Sequence, residues 1–151
     1  MDAHVQLMLF GRIALGAGLG FVIGLEREYR GKAAGDRTFA LLAMGSAALV
    51  AIGIQLFPLT ADRVIQGVAA GVGFLGAGII FRGDRQEAEP HGLTTAAASW
   101  TAAAVGVLAG AGAFLTACLT ELLVVGVLET QYMPYVRRLG RPPRNSPTDE
   151  G

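Results

Sequence analysis

The sequence predicts an all-α protein, a polytopic transmembrane bundle of about five spans, and three observations carry that prediction. Hydrophobic residues make up 52% of the chain and charged ones 16%, against about 25% charged in ordinary soluble domains. The charges gather between long apolar runs, as the cost of placing ionised groups in hydrocarbon demands. Glycine recurs inside those runs at four-residue spacing, the pattern by which membrane helices bring their backbones together. The single cysteine, Cys118, excludes a disulfide within the chain and a thiolate metal site.

The first span, Val5 to Leu25, is long enough at about 1.5 Å per residue to cross a hydrocarbon core of about 30 Å. Met1 to Gln6 carries no Lys or Arg and no small-residue cleavage site follows the apolar run, so a cleaved signal peptide is not expected. Gly16, Gly20 and Gly24 share one face and predict a packing interface. The span then meets Glu26, Arg27, Glu28, Arg30 and Lys32, which mark where the bilayer ends. Glu26 and Arg30, and likewise Glu28 and Lys32, sit four apart and suit pairing if the helix continues past the surface.

Thr38 to Phe57 is the second span, ended by Pro58 in the short loop PLTADR. Val64 to Phe81 is the third, with Gly67 and Gly71 as further packing positions, ended by the polar loop RGDRQEAEPHG. The fourth, Leu93 to Gly110, is rich in Ala, Thr and Ser, so it is expected to be enclosed by other helices. Gly110-Ala111-Gly112 reads as a tight reversal before the fifth span, Ala113 to Met133. The chain thus divides into a membrane domain, 1–133, and a tail, 134–151, expected to be disordered.

Five spans place the termini on opposite sides. The side reached after spans one, three and five holds Arg27, Arg30, Lys32, Arg37, Arg82, Arg85, Arg137, Arg138, Arg141 and Arg144, while the other loops hold only Arg63. The positive-inside rule then puts the amino terminus outside and the tail in the cytoplasm. Tyr132 and Tyr135 fit an aromatic anchor at the inner interface. An internal echo accompanies this plan: Gly18-Leu19-Gly20-Phe21 in span one and Gly71-Val72-Gly73-Phe74 in span three each precede a charged loop and a span opening with threonine. It reads either as a parallel duplication or as two glycine-rich helices alike for packing reasons.

Three segments in order, GLEREYRG followed by RTFAL, GVGFLGAGIIFR, and GLTTAAASWTAAAVGVLAGAG, resemble the MgtC/SapB family of bacterial inner-membrane proteins. The resemblance covers about Gly11 to Gly112. It implies a multi-span membrane domain linked to growth in low magnesium, acting by regulation of another membrane complex rather than by direct transport. Longer relatives carry a cytoplasmic ACT-like domain after the last helix.

Each candidate site has two readings. Glu26, Arg27, Glu28, Arg30 and Arg37 form either a topology-fixing interfacial cluster or a docking and gating site in which Arg37 holds Glu26; the resemblance favours the second, with Glu26, Arg27 and Arg37 foremost. Arg12 and Glu121 both lie on the order of 10 Å deep from the same side, and each alone costs on the order of 3 kcal/mol. They form an intramembrane ion pair, or else Arg12 snorkels to the outer surface and Glu121 is protonated or faces a polar cavity. Thr94, Thr95, Ser99 and Thr101 make a hydroxyl strip on span four, either a polar pathway or groove, or groups bonded back to their own helix. Trp100, too deep for an interfacial belt, is expected to fill a gap opposite small residues.

Gly71 to Gly76 satisfies GxGxxG but lies in an apolar span with no preceding strand, so it is no dinucleotide loop. Asp84, Glu87, Glu89 and His91 either surround a hydrated magnesium ion or form a solvated loop. With two histidines in the chain a structured zinc site is not expected, and no hydroxyl nucleophile has a base partner. No cofactor and no nucleic-acid partner are expected. The partners are the lipid bilayer, a second copy of the chain through its glycine faces, and another inner-membrane complex. The competing reading is a small-solute or magnesium permease.

Overall fold

In lipid a segment must satisfy its own backbone polar groups, and long apolar runs rich in Ala and Leu do so as helices. The computed structural model describes residues 1–81 and 92–133. Five helices follow one another: α1 (Ala3–Tyr29), α2 (Asp36–Leu56), α3 (Ala61–Phe81), α4 (Leu93–Ala111) and α5 (Phe114–Thr130), with a 3₁₀ turn at Pro58–Thr60 leading into α3. No strand occurs among the described residues, so the predicted all-α bundle is the observed fold. The apolar stretches of α1, α2, α3 with its leading turn, and α4 are each long enough to cross a membrane. The 17 residues of α5 sit at the lower end of the roughly 17–25 that a crossing takes.

Helix α1 outruns its apolar span because Glu26 to Tyr29 continue the turn pattern, and it stops at Gly31. There φ is +63°, a left-handed position that glycine alone occupies without cost, and the Gly31 and Lys32 amides close back onto Glu28 and Arg27 carbonyls at 2.9 and 3.0 Å. Lys32 is therefore off the helix. The expected Glu28–Lys32 pair does not form, and the Glu28 carboxylate instead lies against Gly35, whose hydrogen leaves the only room for it.

The centre of the bundle is α2, held between α1 and α4. From one side Gly16 meets Ala43 and Ala47, Gly20 meets Phe39 and Ala43, and Gly24 meets Asp36. From the other, Gly106 lies on the Ala43 backbone and Gly110 on that of Ala47. Ala43 and Ala47 are fully buried. The predicted Gly16, Gly20 and Gly24 interface is thus real and internal to the chain, and small side chains on both partners let three backbones touch. Around this seam Ile23, Phe39, Ala102 and Val105 form the main apolar core, with Leu128 of α5 against it. As expected, α4 is the most enclosed of the spanning helices.

Two of the packing positions read in the sequence have no neighbour within this chain. Gly67 and Gly71 have nothing within 4 Å of where a side chain would begin. They do not pack a helix within this chain. They line, with Gly45, Ser46 and Val64, an open groove of about 460 Å³ between α2 and α3. The Gly71-Val72-Gly73 echo of Gly18-Leu19-Gly20 also differs in environment, since Gly20 is sealed against α2 while Gly73 faces open space. Trp100 does not fill a gap either: half exposed, it forms one wall of an apolar cavity of about 250 Å³ with Ile65, Ala69 and Ala103 between α3 and α4. The tail from 134 and the loop residues Asp84, Glu87, Glu89 and His91 lie outside the described residues.

Candidate functional site

Arg27, Glu26 and Arg30 of α1, Thr95 of α4 and Glu129 of α5, all buried or half-buried, meet at one end of the bundle, where α1 and α5 finish and α2 and α4 begin. Arg27 is the centre of this charged end. It lies on the last turns of α1, on the same side as Gly20 and Ile23, so helical spacing turns it inward, and 1% of it is exposed. Its Nη2 donates to Thr95 Oγ1 of α4 at 3.0 Å and its Nη1 to Glu26 Oε2 at 3.5 Å. A guanidinium held between a hydroxyl and a carboxylate ties α1 to the first turn of α4.

Glu26, its side chain 7% exposed, also faces Arg30 at 3.9 Å, the four-residue pairing that the sequence predicts. Arg30 in turn donates to Glu129 Oε2 of α5 at 2.6 Å, and its guanidinium stacks over the Tyr132 ring at 3.7 Å from the centroid. Such stacking with a charge-assisted bond is the geometry for which arginine, rather than lysine, is suited. A continuous polar chain therefore runs from Tyr132 and Glu129 through Arg30, Glu26 and Arg27 to Thr95. Within it Glu26 Oε1, Arg27 Nε and Arg30 Nε are buried without hydrogen-bond partners, so the site holds unspent polar capacity where each such atom costs about 1–3 kcal/mol.

Arg37 is not part of it. It is exposed on the first turn of α2, and the expected hold of Arg37 on Glu26 is replaced by Arg27 and Arg30, which share the helix of Glu26 and need no loop to bring them near. Glu129 escaped the sequence reading; a signal was present, since it lies one turn before Tyr132 on the side of the membrane that carries Arg30.

The hydroxyl strip divides in two. Thr95 and Ser99 are buried, Thr95 bonded by Arg27, and Ser99 donating to the Thr95 carbonyl at 2.9 Å. Thr94 and Thr101 line a separate apolar groove against α5 with Thr120 and Val124. Thr101 turns back onto the Ala98 carbonyl at 2.9 Å. The seven-residue spacing of Thr94 and Thr101 and the four-residue spacing of Thr95 and Ser99 each define a face, but they are different faces.

The Arg12–Glu121 ion pair is absent. Arg12 donates through Nη1 to the Gly110 carbonyl at 3.1 Å, at the end of α4 opposite the charged cluster. There Gly112, with φ +85°, closes the helix by bonds from its own amide to Ala109 and from Ala113 to Leu108. That closure leaves the Gly110 carbonyl over, and a cation at the negative end of a helix is favoured. Arg12 is a helix cap. Glu121, 6% exposed, makes no hydrogen bond or ion pair among the described residues.

Among the described residues no three His, Cys, Asp or Glu side chains gather as a metal site, and the carboxylates of Glu26 and Glu129 already face guanidinium groups. The arrangement joins helices and presents charge; it contains no nucleophile set against a base.

Residues 13–133 match the family model described as the MgtC family. Protein SrpB of Synechococcus elongatus is 46% identical over 113 residues, covering 67% of this chain and 62% of that protein. Protein MgtC of Brucella abortus is 39% identical over 126 residues (83% of this chain, 50% of that protein). Protein MgtC of Salmonella typhimurium is 38% identical over 107 residues (71% and 45%). The chain thus spans between about half and under two thirds of the length of these relatives. No solved structure matches. On the strength of the family match and these identities, the chain is a membrane protein belonging to the MgtC family.

Proposed function

We propose that this chain is a non-enzymatic protein of the bacterial inner membrane that acts by docking on another membrane complex, in the adaptation to low magnesium associated with its family. The observation that supports this is the uneven packing of the bundle. Three helices, α1, α2 and α4, are joined through glycine with their backbones in contact. By contrast α3 stands at the edge, with Phe74, Leu75 and Phe81 bare and open grooves on both its flanks. Grooves floored by glycine and alanine are surfaces that a further helix enters closely. A second copy of the chain is the accompanying proposal for the same faces.

In this reading the charged end, with Arg27, Arg30, Lys32 and Arg37, faces the cytoplasm by the positive-inside rule, and the amino terminus lies outside. A permease would need a connected polar route. The hydroxyls of Thr94, Thr95, Ser99 and Thr101 are split between two faces, and those of Ser99 and Thr101 bond their own helix.

The test is magnesium flux into vesicles holding the purified protein, beside affinity capture of the complex from membranes in mild detergent. The docking reading expects flux no higher than in empty vesicles, and a captured complex lost when Gly71→Leu fills the α2–α3 groove. Flux that vanishes with Thr95→Val or Glu121→Gln would sink it in favour of a permease.

A further inference from the structure

Glu121 stands apart from the charged end. It sits near the middle of α5, 6% exposed. One turn to one side, Ala117 is sealed with Ala47 of α2 and Ala109 of α4. One turn to the other, Val124 and Val125 rest on the core of Ala102 and Val105. The carboxyl therefore occupies an apolar part of the bundle.

Among the described residues, the charges on the helices around it are committed elsewhere or lie at the helix ends. Helix α4, against which α5 packs, contains no Asp, Glu, Lys, Arg or His. On α1 the run from Ile13 to Leu25 is uncharged; Arg12 at one end of it bonds the Gly110 carbonyl, and Arg27 at the other bonds Thr95 and Glu26. On α2 the charges, Asp36 and Arg37, lie in the first turn. On α5 itself Glu129 is held by Arg30, and Cys118 is the remaining ionisable group. Among the described residues Glu121 has neither counter-ion nor hydrogen-bond donor. An isolated carboxylate in such surroundings is strongly disfavoured, whereas a neutral carboxyl is tolerated.

We propose that Glu121 is a proton-binding site inside the membrane: its carboxyl is carried in the folded bundle as the neutral acid and exchanges that proton with water. The α4–α5 groove offers the approach. It has a volume of about 250 Å³, and Thr94 at the charged end, Thr101 and Thr120, the residue beside Glu121, line its largely apolar walls. The ligand is the proton, and the site is independent of any docking partner.

Infrared spectroscopy of the protein in vesicles of phosphatidylethanolamine and phosphatidylglycerol tests this, because the C=O stretch of a protonated carboxyl is well separated from the carboxylate bands. At neutral pH the wild-type protein is expected to show that stretch from a carboxyl shielded from water, and to lose it as pH is raised. Glu121→Gln removes the band completely, while Glu129→Gln leaves it. Glu121→Asp, which keeps the acid, restores a shifted band should the amide variant fold poorly. A wild-type spectrum without a protonated carboxyl at neutral pH overturns the proposal whatever the variants do, and so does a band that survives in Glu121→Gln.

Discussion

Arg27 is the residue on which the site turns, because it is a buried cation whose partners come from its own helix and from α4. Removing one member of a buried, bonded pair leaves the other stranded, at a cost of about 3–5 kcal/mol. Arg27→Ala should lower stability by that order, read as a shift in the unfolding midpoint in detergent. Arg27→Lys should recover only part, since one ammonium cannot reach both Thr95 and Glu26 in the geometry of a guanidinium. Arg37→Ala, on the exposed first turn of α2, should change stability by less than about 0.5 kcal/mol. Arg12→Met, which frees the Gly110 carbonyl, should cost about 1–2 kcal/mol. The reversed double exchange Arg12→Glu with Glu121→Arg should not rescue it, because the two side chains do not meet. Arg27 and Thr95 were each legible, one from its place at the membrane boundary and the other as a hydroxyl in an apolar helix. Their contact was not: they stand 68 residues apart, and spacing along one helix says nothing about which face of another it meets. Depth misled for Arg12 and Glu121, since equal distance from a surface does not make two helices present those residues to each other.

At the scale of the helices, the glycine spacing of α1 was read correctly as an interface, and the reason is local: four-residue spacing makes one face small whatever lies opposite. The same spacing in α3 meets no helix of this chain at Gly67 and Gly71, because small residues permit close approach without supplying a neighbour. The two cases separate experimentally. Gly20→Leu and Gly106→Leu would force large side chains into the backbones of Phe39 and Ala43, so each should destabilise by about 3 kcal/mol or more, through overpacking that the seam cannot relax. Gly71→Ala enters open space and should change stability little, its small effect set by helix propensity, where alanine exceeds glycine by roughly 1 kcal/mol. Chemical or thermal unfolding of the three proteins in one detergent checks this, and equal losses at Gly20 and Gly71 would show that α3 is packed elsewhere in the molecule. Helix ends were less legible than helix centres. The arrest of α1 at Gly31 depends on a left-handed turn that the charged residues around it obscure, and with it went the Glu28–Lys32 pair.

Over the whole molecule, composition and hydropathy were enough to predict a helical membrane bundle, since lipid leaves few other solutions for such a chain. Two parts hold the molecule together: a tight seam of α1, α2 and α4 at the centre, and a charged end where Arg27 and Arg30 tie α1 to α4 and α5. Both require that every helix, including the 17 residues of α5, cross the bilayer, so that an odd number of crossings separates Asp2 from Gln131. In a Cys118→Ala background, Asp2→Cys and Gln131→Cys should therefore react with a membrane-impermeant maleimide from opposite sides, Asp2→Cys in intact spheroplasts and Gln131→Cys only once the membrane is opened. Reaction of both from the same compartment would contradict the fivefold crossing and the placement of the charged end that follows from it.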